Sequence, residues 1–242
     1  MTEYDSTDLA FFCVDGHDLL AFSAKLDDQG ARLKSVDRTA IADAVERSVI
    51  LNQIEAMTLP YEGWFDDEAA IGLALDGSRG VEQLLSYGVE GNVLGADFVG
   101  MRGVQTLDKP ITKGDLIRVS AAWELDKYER GKIIAPLAVR GAAGNTQATP
   151  VDNLVATSAG AVCYLQMPAL ALGGYTNVIV KVRDSIDGVT WADIVTFTAR
   201  TAAGAQRVEV AGNVDRRLAI SWAYTGAGAD PAPEFLVGVA RN

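Results

Sequence analysis

Short runs of alternating apolar and polar residues, separated by turn signals, dominate the last third of the chain. From Val178 to Arg183 every second residue is valine, and Lys181 and Arg183 fall on the opposite face of an extended strand. The runs Leu218–Tyr224 and Phe235–Val239 repeat the pattern. Short strands spaced at roughly 8–12 residues predict an antiparallel β-sandwich without a helix over residues 153–242.

The preceding part of the chain is also rich in strand patterns. Ile117–Leu125 alternates like a half-buried strand, and Leu9–Val14 and Leu19–Leu26 flank Asp15-Gly16, a strong hairpin signal. Asp67–Leu75 combines an N-cap with an acidic first turn and predicts one short helix. Thr39–Val49 fits a helix or a strand. The sequence therefore predicts a mainly β protein with one short helix in its first part.

The excess negative charge lies entirely in residues 1–152. These residues hold 14 Lys and Arg against 25 Asp and Glu, a net charge of −11, whereas residues 153–242 hold seven of each. The change coincides with Gly141–Asn153, a small, polar stretch whose composition is typical of a linker. We therefore expect an acidic domain over 1–152 and a neutral accessory domain over 153–242. An acidic domain should repel nucleic acid and anionic membranes.

The chain lacks the patterns of most enzymes and metal sites. His17 is its one histidine and lies in a turn, and it cannot form a zinc site with two distant cysteines. Asp66-Asp67-Glu68, or Asp184 with Asp187, could offer oxygens to calcium, but neither resembles an EF-hand loop. P-loop and Gly-x-Ser-x-Gly motifs are missing as well. We expect no catalytic residue, no cofactor and no metal ion.

Cysteines and hydropathy indicate the compartment. Cys13 and Cys163 lie in separate apolar runs, so we expect two buried, reduced thiols. The N-terminus shows no secretion signal, and no apolar stretch approaches the ~18 residues of a spanning helix. We expect a protein made in the cytoplasm with no membrane partner.

Four tryptophans are candidates for rings that stack on sugars, namely Trp64, Trp123, Trp191 and Trp222. Trp123 and Trp222 fall on the apolar faces of alternating strands, so we expect them in cores. Trp191 comes immediately after the Asp187-Gly188 turn. It is our candidate for an exposed ring that contacts a glycan.

The order of several segments resembles the major tail (tail tube) proteins of long-tailed, siphovirus-like bacteriophages that carry an extra C-terminal β domain. Each segment alone consists mostly of residues that are common in turns and strands. The resemblance therefore depends on the order of the segments along most of the chain. The segments are Phe11–Leu19, Gly63–Asp67, Leu85–Asn92, Gly114–Leu116, Val180–Trp191, Thr201–Val208 and Leu218–Trp222.

The resemblance implies a structural protein of the virion tail. Subunits would close into hexameric rings and stack into a tube through which DNA passes without specific binding, and they would meet a tape-measure protein and tail-end proteins. The resemblance further implies a β-sandwich or β-barrel tube domain with a flanking helix. Loops within Lys34–Asn52 would bridge subunits. The C-terminal domain would project outward, where it could contact host-surface glycans.

Three alternatives remain open from the sequence. One is another virion component, either a minor tail adhesin or a capsid decoration protein, that binds glycans through its C-terminal domain. Another is an enzyme of carbohydrate or peptidoglycan chemistry, because 32 acidic residues could conceal a pair of catalytic carboxylates. The third is an unrelated soluble β protein.

Overall fold

The structure, a computed structural model, describes residues 9–26, 33–37, 49–54, 57–64, 80–88, 90–108 and 118–242. The predicted helix at Asp67–Leu75 lies outside the described residues, as do residues 39–48 of the ambiguous Thr39–Val49 segment. Both remain predictions. Of the expected bridging segment Lys34–Asn52, only the two ends are described, and both are strands.

The described residues form a mainly β fold, as the sequence predicted, with one turn of 3₁₀ helix at Leu20–Phe22 and no α-helix among them. In chain order the strands are β1 (Phe11–Val14), β2 (His17–Asp18), β3 (Ser23–Leu26), β4 (Leu33–Asp37), β5 (Val49–Ile54), β6 (Met57–Trp64), β7 (Glu82–Gly88), β8 (Asp97–Asp108), β9 (Arg118–Val139), β10 (Gly144–Asn145), β11 (Val151–Asp152), β12 (Ala161–Ala169), β13 (Asn177–Ser185), β14 (Ala192–Thr196), β15 (Gly204–Val210), β16 (Arg217–Thr225) and β17 (Glu234–Arg241).

A ten-stranded antiparallel sheet joins the first and last parts of the chain. Its strands follow the order β15-β12-β17-β9-β8-β7-β1-β2, and β6 pairs with both β9 and β3. The 22-residue strand β9 is common to both parts, because its first half pairs with β6 and its second half with β17. A five-stranded sheet contains β10, β11, β16, β13 and β14, and β4 pairs with β5.

The C-terminal strands form the predicted two-layer core. Val178, Val180 and Val182 point inward, while Lys181 and Arg183 on the same strand lie partly exposed on the outer face. They pack against β12 and β17 of the ten-stranded sheet, burying Phe235 and its neighbours. The apolar residues of the alternating pattern therefore face the core, and the polar residues between them face the solvent.

The segment Gly141–Asn153, expected as a linker, is part of the five-stranded sheet. β10 and β11 within it pair with β16, and the Trp222 indole donates a hydrogen bond to the Ala142 carbonyl oxygen at 2.9 Å. Small polar residues resemble a linker in sequence, but here their backbone completes a sheet formed with strands much later in the chain. Ile134 and Ala135, before the expected domain boundary at residue 152, belong to the C-terminal core.

The first part of the chain has its own aromatic core. Trp123 is fully buried, as predicted, with its ring edge-on to Phe12 and Tyr61 at centroid distances of 6.0 and 6.1 Å. Its indole N–H donates to Gln83 Oε1 at 2.8 Å, so the polar atom is not left unpaired. The predicted turn at Asp15-Gly16 is confirmed, and both residues have positive φ as in a type I′ turn. The predicted second strand of the hairpin, Leu19–Leu26, is wrong: β1 pairs with the two-residue strand β2, whereas Leu19–Leu26 contains the 3₁₀ turn and β3, which pairs with β6.

A third cluster lies between these two cores and binds them together. Its residues alternate along their strands with residues that belong to one of the other two cores. Both faces of β1 are therefore buried, which explains why Phe11-Phe12-Cys13-Val14 is apolar throughout. Cys13 and Cys163 are free and buried, as predicted. Burial raises the pKa of the Cys163 thiol to about 12, which keeps it protonated and unreactive.

Gly131 lies where the backbones of β9 and β17 come close together. A Cβ at Gly131 would lie 2.0 Å from the Val239 carbonyl oxygen, a backbone atom that cannot move aside cheaply. We expect Gly131→Ala to reduce the free energy of unfolding by about 3 kcal/mol, measured by urea denaturation. Gly141→Ala is the matched control, since a Cβ there meets nothing within 4 Å. Equal stabilities of the two variants would contradict the described packing.

Candidate functional site

A buried glutamine joins the last part of the chain to the first. Gln166 lies on β12 and is fully buried. Its Oε1 accepts a hydrogen bond from the Gly16 N–H at 2.8 Å, and its Nε2 donates to Ser86 Oγ at 3.1 Å and to the Leu84 carbonyl oxygen at 3.2 Å. One side chain therefore fastens the β1–β2 turn and β7 to β12.

A second set of polar side chains connects the same two parts of the chain. Arg207 on β15 donates from Nη2 to Glu129 Oε1 at 2.5 Å and from Nε to the Tyr164 hydroxyl at 3.1 Å. The Tyr164 hydroxyl in turn donates to Glu129 Oε2. Burial, followed by the hydrogen bond to Glu129, raises the pKa of Tyr164 above its usual value, so the phenol stays protonated as a donor.

These contacts make the junction a fixed structural element. Hereafter the seam means Gln166, Tyr164, Glu129 and Arg207 with their partners. Buried hydrogen bonds of this kind lose their partners if the two parts separate, and each unsatisfied group is costly. The two backbones also approach closely, because a Cβ at Gly16 would lie 2.5 Å from the Cα of Gly204 across the seam. The two parts of the chain are therefore held in one relative orientation.

The sequence did not predict the seam. Gln166 and Gly16 are 150 residues apart, and nothing local links them. One signal was present: Gln166 is the single strongly polar residue in the run Ala161–Met167. Such a run is typical of a strand buried on both faces, where a polar side chain must find a specific partner.

Trp191, the candidate glycan contact, lies half-buried where the β13–β14 turn ends. Its indole N–H donates to the Gly188 carbonyl oxygen at 3.2 Å, and its own carbonyl oxygen accepts from Arg183 Nη2 at 3.0 Å. The preceding turn is the predicted Asp-Gly turn, with Gly188 at φ +81°. The ring is thus tied to the turn, and its contact with a glycan stays a prediction.

A shallow groove lies on the outer face of the five-stranded sheet. Lys181 Nζ and Arg183 Nε reach the two oxygens of Asp193 at 2.6 and 2.7 Å. The groove has a volume of about 330 Å³. Trp222 reaches it from the edge of the C-terminal core, so this ring is half-buried rather than fully enclosed as expected. The lining residues are Ile179, Lys181, Arg183, Asp193, Ser221, Trp222 and Ala223.

Exposed aliphatic side chains gather in three loops, which we call the apolar end. Six of the nine exposed large hydrophobic side chains among the described residues are in these loops. Leu94 and Leu154 line one groove, and Arg217 connects the second and third loops through Asp152 and the Ile186 carbonyl oxygen. The six residues are Val93, Leu94, Leu154, Val155, Ile186 and Val189.

The carboxylates that could offer oxygens to calcium have other partners where the structure describes them. Asp184 Oδ2 accepts from the Asp215 N–H at 2.8 Å, and Asp187 Oδ1 accepts from two backbone amides of its turn. Asp66-Asp67-Glu68 lies outside the described residues. Within the described ranges no three His, Cys, Asp or Glu side chains cluster as metal ligands, and no helix has the length and apolarity to cross a membrane.

Comparison with known proteins shows a weak likeness to a solved structure. No protein family matches the chain, and no curated protein matches it. Among solved structures it is similar to the SPP1 Dit protein, described as a paradigm of the hub adsorption apparatus in phages that infect Gram-positive bacteria. The likeness covers 96% of this chain and 99% of that chain, at 14% identity and a TM-score of 0.36. A likeness at this level does not define a role for the chain.

Replacing Gln166 should destabilise the whole protein. Gln166→Leu keeps the volume but leaves the Gly16 N–H and the Ser86 hydroxyl without their buried partner. We expect a loss of about 3 kcal/mol in the free energy of unfolding, measured by urea denaturation. Gln206→Leu is the control, because Gln206 bonds only Thr198 at the surface. A smaller loss for Gln166→Leu than for the control would contradict the seam.

The turn before Trp191 should be sensitive to acid. Hydrogen bonds from the Thr190 and Val189 amides and from Ser185 lower the pKa of Asp187 from 3.8 to about 2. A lowered pKa stabilises the folded state above the unfolded value of about 3.9, and this stabilisation is lost as the pH falls through about 2. We expect Asp187→Ala to lower the Tm at pH 5, and the difference from the natural chain to shrink between pH 4 and pH 2.

Asp187→Asn serves as the reference for this measurement. It keeps an acceptor oxygen in the turn but carries no charge, so its Tm difference should be smaller at pH 5. If the Asp187→Ala difference stays constant from pH 5 to pH 2, the ionised carboxylate does not stabilise the turn.

Proposed function

We propose that this chain is a structural protein of a bacteriophage tail, whose copies close into hexameric rings that stack to form the tail tube. The apolar end is the observation that carries the proposal. The order of tail-tube-like segments in the sequence supports it as well. In this proposal the protein is made in the host cytoplasm, resides in the virion tail, and meets tape-measure and tail-end proteins.

The apolar end has the character of a surface that is covered in an assembly. Val189 is 82% exposed, Leu154 is 74% exposed and Val155 is 69% exposed. Single exposed aliphatic residues are common, but a group contributed by three separate loops marks a protein–protein contact. In a closed ring or a stack, each copy buries such a surface against a different surface of the next copy. A second copy of this chain is therefore the occupant that we propose.

The seam supports a role in ring stacking, because it holds each copy of the chain in one rigid shape. Rings and stacks close only if every copy presents its contacting surfaces at the same angle. Gln166 and the Arg207–Glu129–Tyr164 group fix the first part of the chain against the last part. We propose that the acidic residues 1–152 form the tube wall and residues 153–242 project outside. An acidic wall would let DNA pass, since it offers few Lys or Arg contacts to phosphates.

Assembly should depend on the apolar end. Concentrated protein should form rings or tubes with six-fold end views by negative-stain microscopy and a high mass by light scattering. The double variant Leu154→Ser, Val189→Ser should remain monomeric, because its copies would bury less apolar area. Val81→Ser is the matched control, since Val81 is 54% exposed but lies before β7, outside the three loops.

The outcomes separate the proposed roles. Persistent monomers or trimers of the natural chain under assembly conditions would rule out the tube and favour an adhesin or a capsid decoration protein. Rings formed by the double variant as readily as by the control would place the contact between copies elsewhere on the molecule.

A further inference from the structure

We propose that Arg140 of one copy binds the Asp187 carboxylate of the next copy, so that the apolar end of each copy docks against a cluster of aromatic rings on its neighbour. This inference rests on the proposed function, because it names the surface that the apolar end meets. We call the receiving surface the aromatic end, which consists of Arg140, Trp222, Tyr224 and Phe235.

The aromatic end holds the guanidinium group of Arg140 against two rings. Its Cζ lies 5.8 Å from the centre of the Trp222 ring and 5.5 Å from the centre of the Phe235 ring, distances at which a ring attracts a cation. The Tyr224 hydroxyl donates to the Gly141 carbonyl oxygen at 2.8 Å, which fastens the backbone beside Arg140. The cation is therefore oriented before any partner arrives, and arginine with tryptophan and tyrosine is typical of the centre of protein interfaces.

Arg140 is half-buried and forms no ion pair with any described residue. Its Nη2 donates to the Pro136 carbonyl oxygen at 2.6 Å, while its Nε is buried and makes no hydrogen bond to the described residues. Burial lowers the pKa of Arg140, and no described carboxylate opposes that shift. The acid beside Phe235, Glu234, lies on the opposite face of β17, toward Cys13. A partly desolvated cation is costly without an anion, so a copy that supplies a carboxylate is stabilising.

Asp187 is the complementary group at the apolar end. It belongs to the loop that carries Ile186 and Val189, which are 57% and 82% exposed. Its Oδ1 accepts the hydrogen bonds of the turn, whereas its Oδ2 accepts none from a described residue. Beside the second and third loops three carboxylates stand against two guanidinium groups, which leaves one negative charge, namely Asp152, Asp187 and Asp215 against Arg216 and Arg217. An anion among aliphatic side chains thus matches a cation among aromatic rings.

The two charges of one copy are too far apart to pair with each other. Asp187 follows the end of β13 that lies opposite Arg217, whereas Arg140 covers Trp222. Five residues separate Arg217 from Trp222 along β16, which is about 16 Å at the rise of a β-strand. Each copy therefore presents the anion at one end of this sheet and the cation away from that end. A head-to-tail contact of this kind closes a ring or extends a stack.

Mixing two charge-reversed variants of the full chain tests the proposal. Arg140→Asp and Asp187→Arg should each raise the concentration needed for assembly by about tenfold or more, measured by light scattering, because like charges meet at every contact. An equimolar mixture of the two variants should assemble, since each contact between unlike copies joins opposite charges. The double variant Arg140→Asp, Asp187→Arg should assemble by itself for the same reason.

Cysteine cross-linking measures the same contact without reversing a charge. The double variant Arg140→Cys, Asp187→Cys should form disulfide-linked oligomers when treated with oxidised glutathione, seen by denaturing electrophoresis. The natural thiols Cys13 and Cys163 are buried and should not react. The double variant Glu124→Cys, Asp187→Cys is the matched control and should give no series of linked oligomers, because Glu124 is exposed on the first half of β9. Circular dichroism of each variant checks that the fold is intact.

The outcomes keep this inference separate from the proposed function. If both charge-reversed variants assemble as readily as the natural chain, the tail-tube proposal stands but Arg140 and Asp187 do not meet. Assembly that is lost in the single variants and restored neither by mixing nor in the double variant, with no cross-linked oligomers, also overturns the pairing. If the natural chain does not assemble at any concentration, the pairing and the proposed function both fail.

Discussion

Strand β12 has both of its faces buried, and the rest of the architecture depends on that constraint. One face, with Cys163, Leu165 and Met167, completes the C-terminal core. The other face, with Tyr164 and Gln166, meets the first part of the chain. A strand in this position cannot have a solvated polar side, so its polar atoms need partners from distant strands. The seam follows from that requirement.

The same constraint explains why glycines line the junction. Gly100 lies beneath the Tyr164 ring, and Gly238 lies beneath the Phe98 ring, each at a distance where a Cβ would collide with the aromatic carbons. Large rings can cover a neighbouring strand only where that strand has no side chain of its own. Aromatic residues and glycines therefore form pairs across strands, and this pairing lets two cores share one sheet.

Local patterns in the sequence were sufficient to predict the strands but not their partners. The valines of β13 and the Asp15-Gly16 turn reveal their structure within a few residues, because strand alternation and type I′ turns are local properties. The small, polar residues of Gly141–Asn153 predict a linker, yet the pairing of this segment with β16 depends on residues much further along the chain. Gln166 and Arg140 likewise acquire their contacts only when distant strands meet.

The length of β9 has a mechanical consequence. Its 22 residues extend over about 70 Å of contour at the rise of a β-strand. One part of the chain is bonded along its first half and the other part along its second half. A pull applied along β9 therefore loads many backbone hydrogen bonds in parallel, by shear, instead of opening them one after another. A mechanical load would therefore pass from one half of the chain to the other through the continuous backbone of β9.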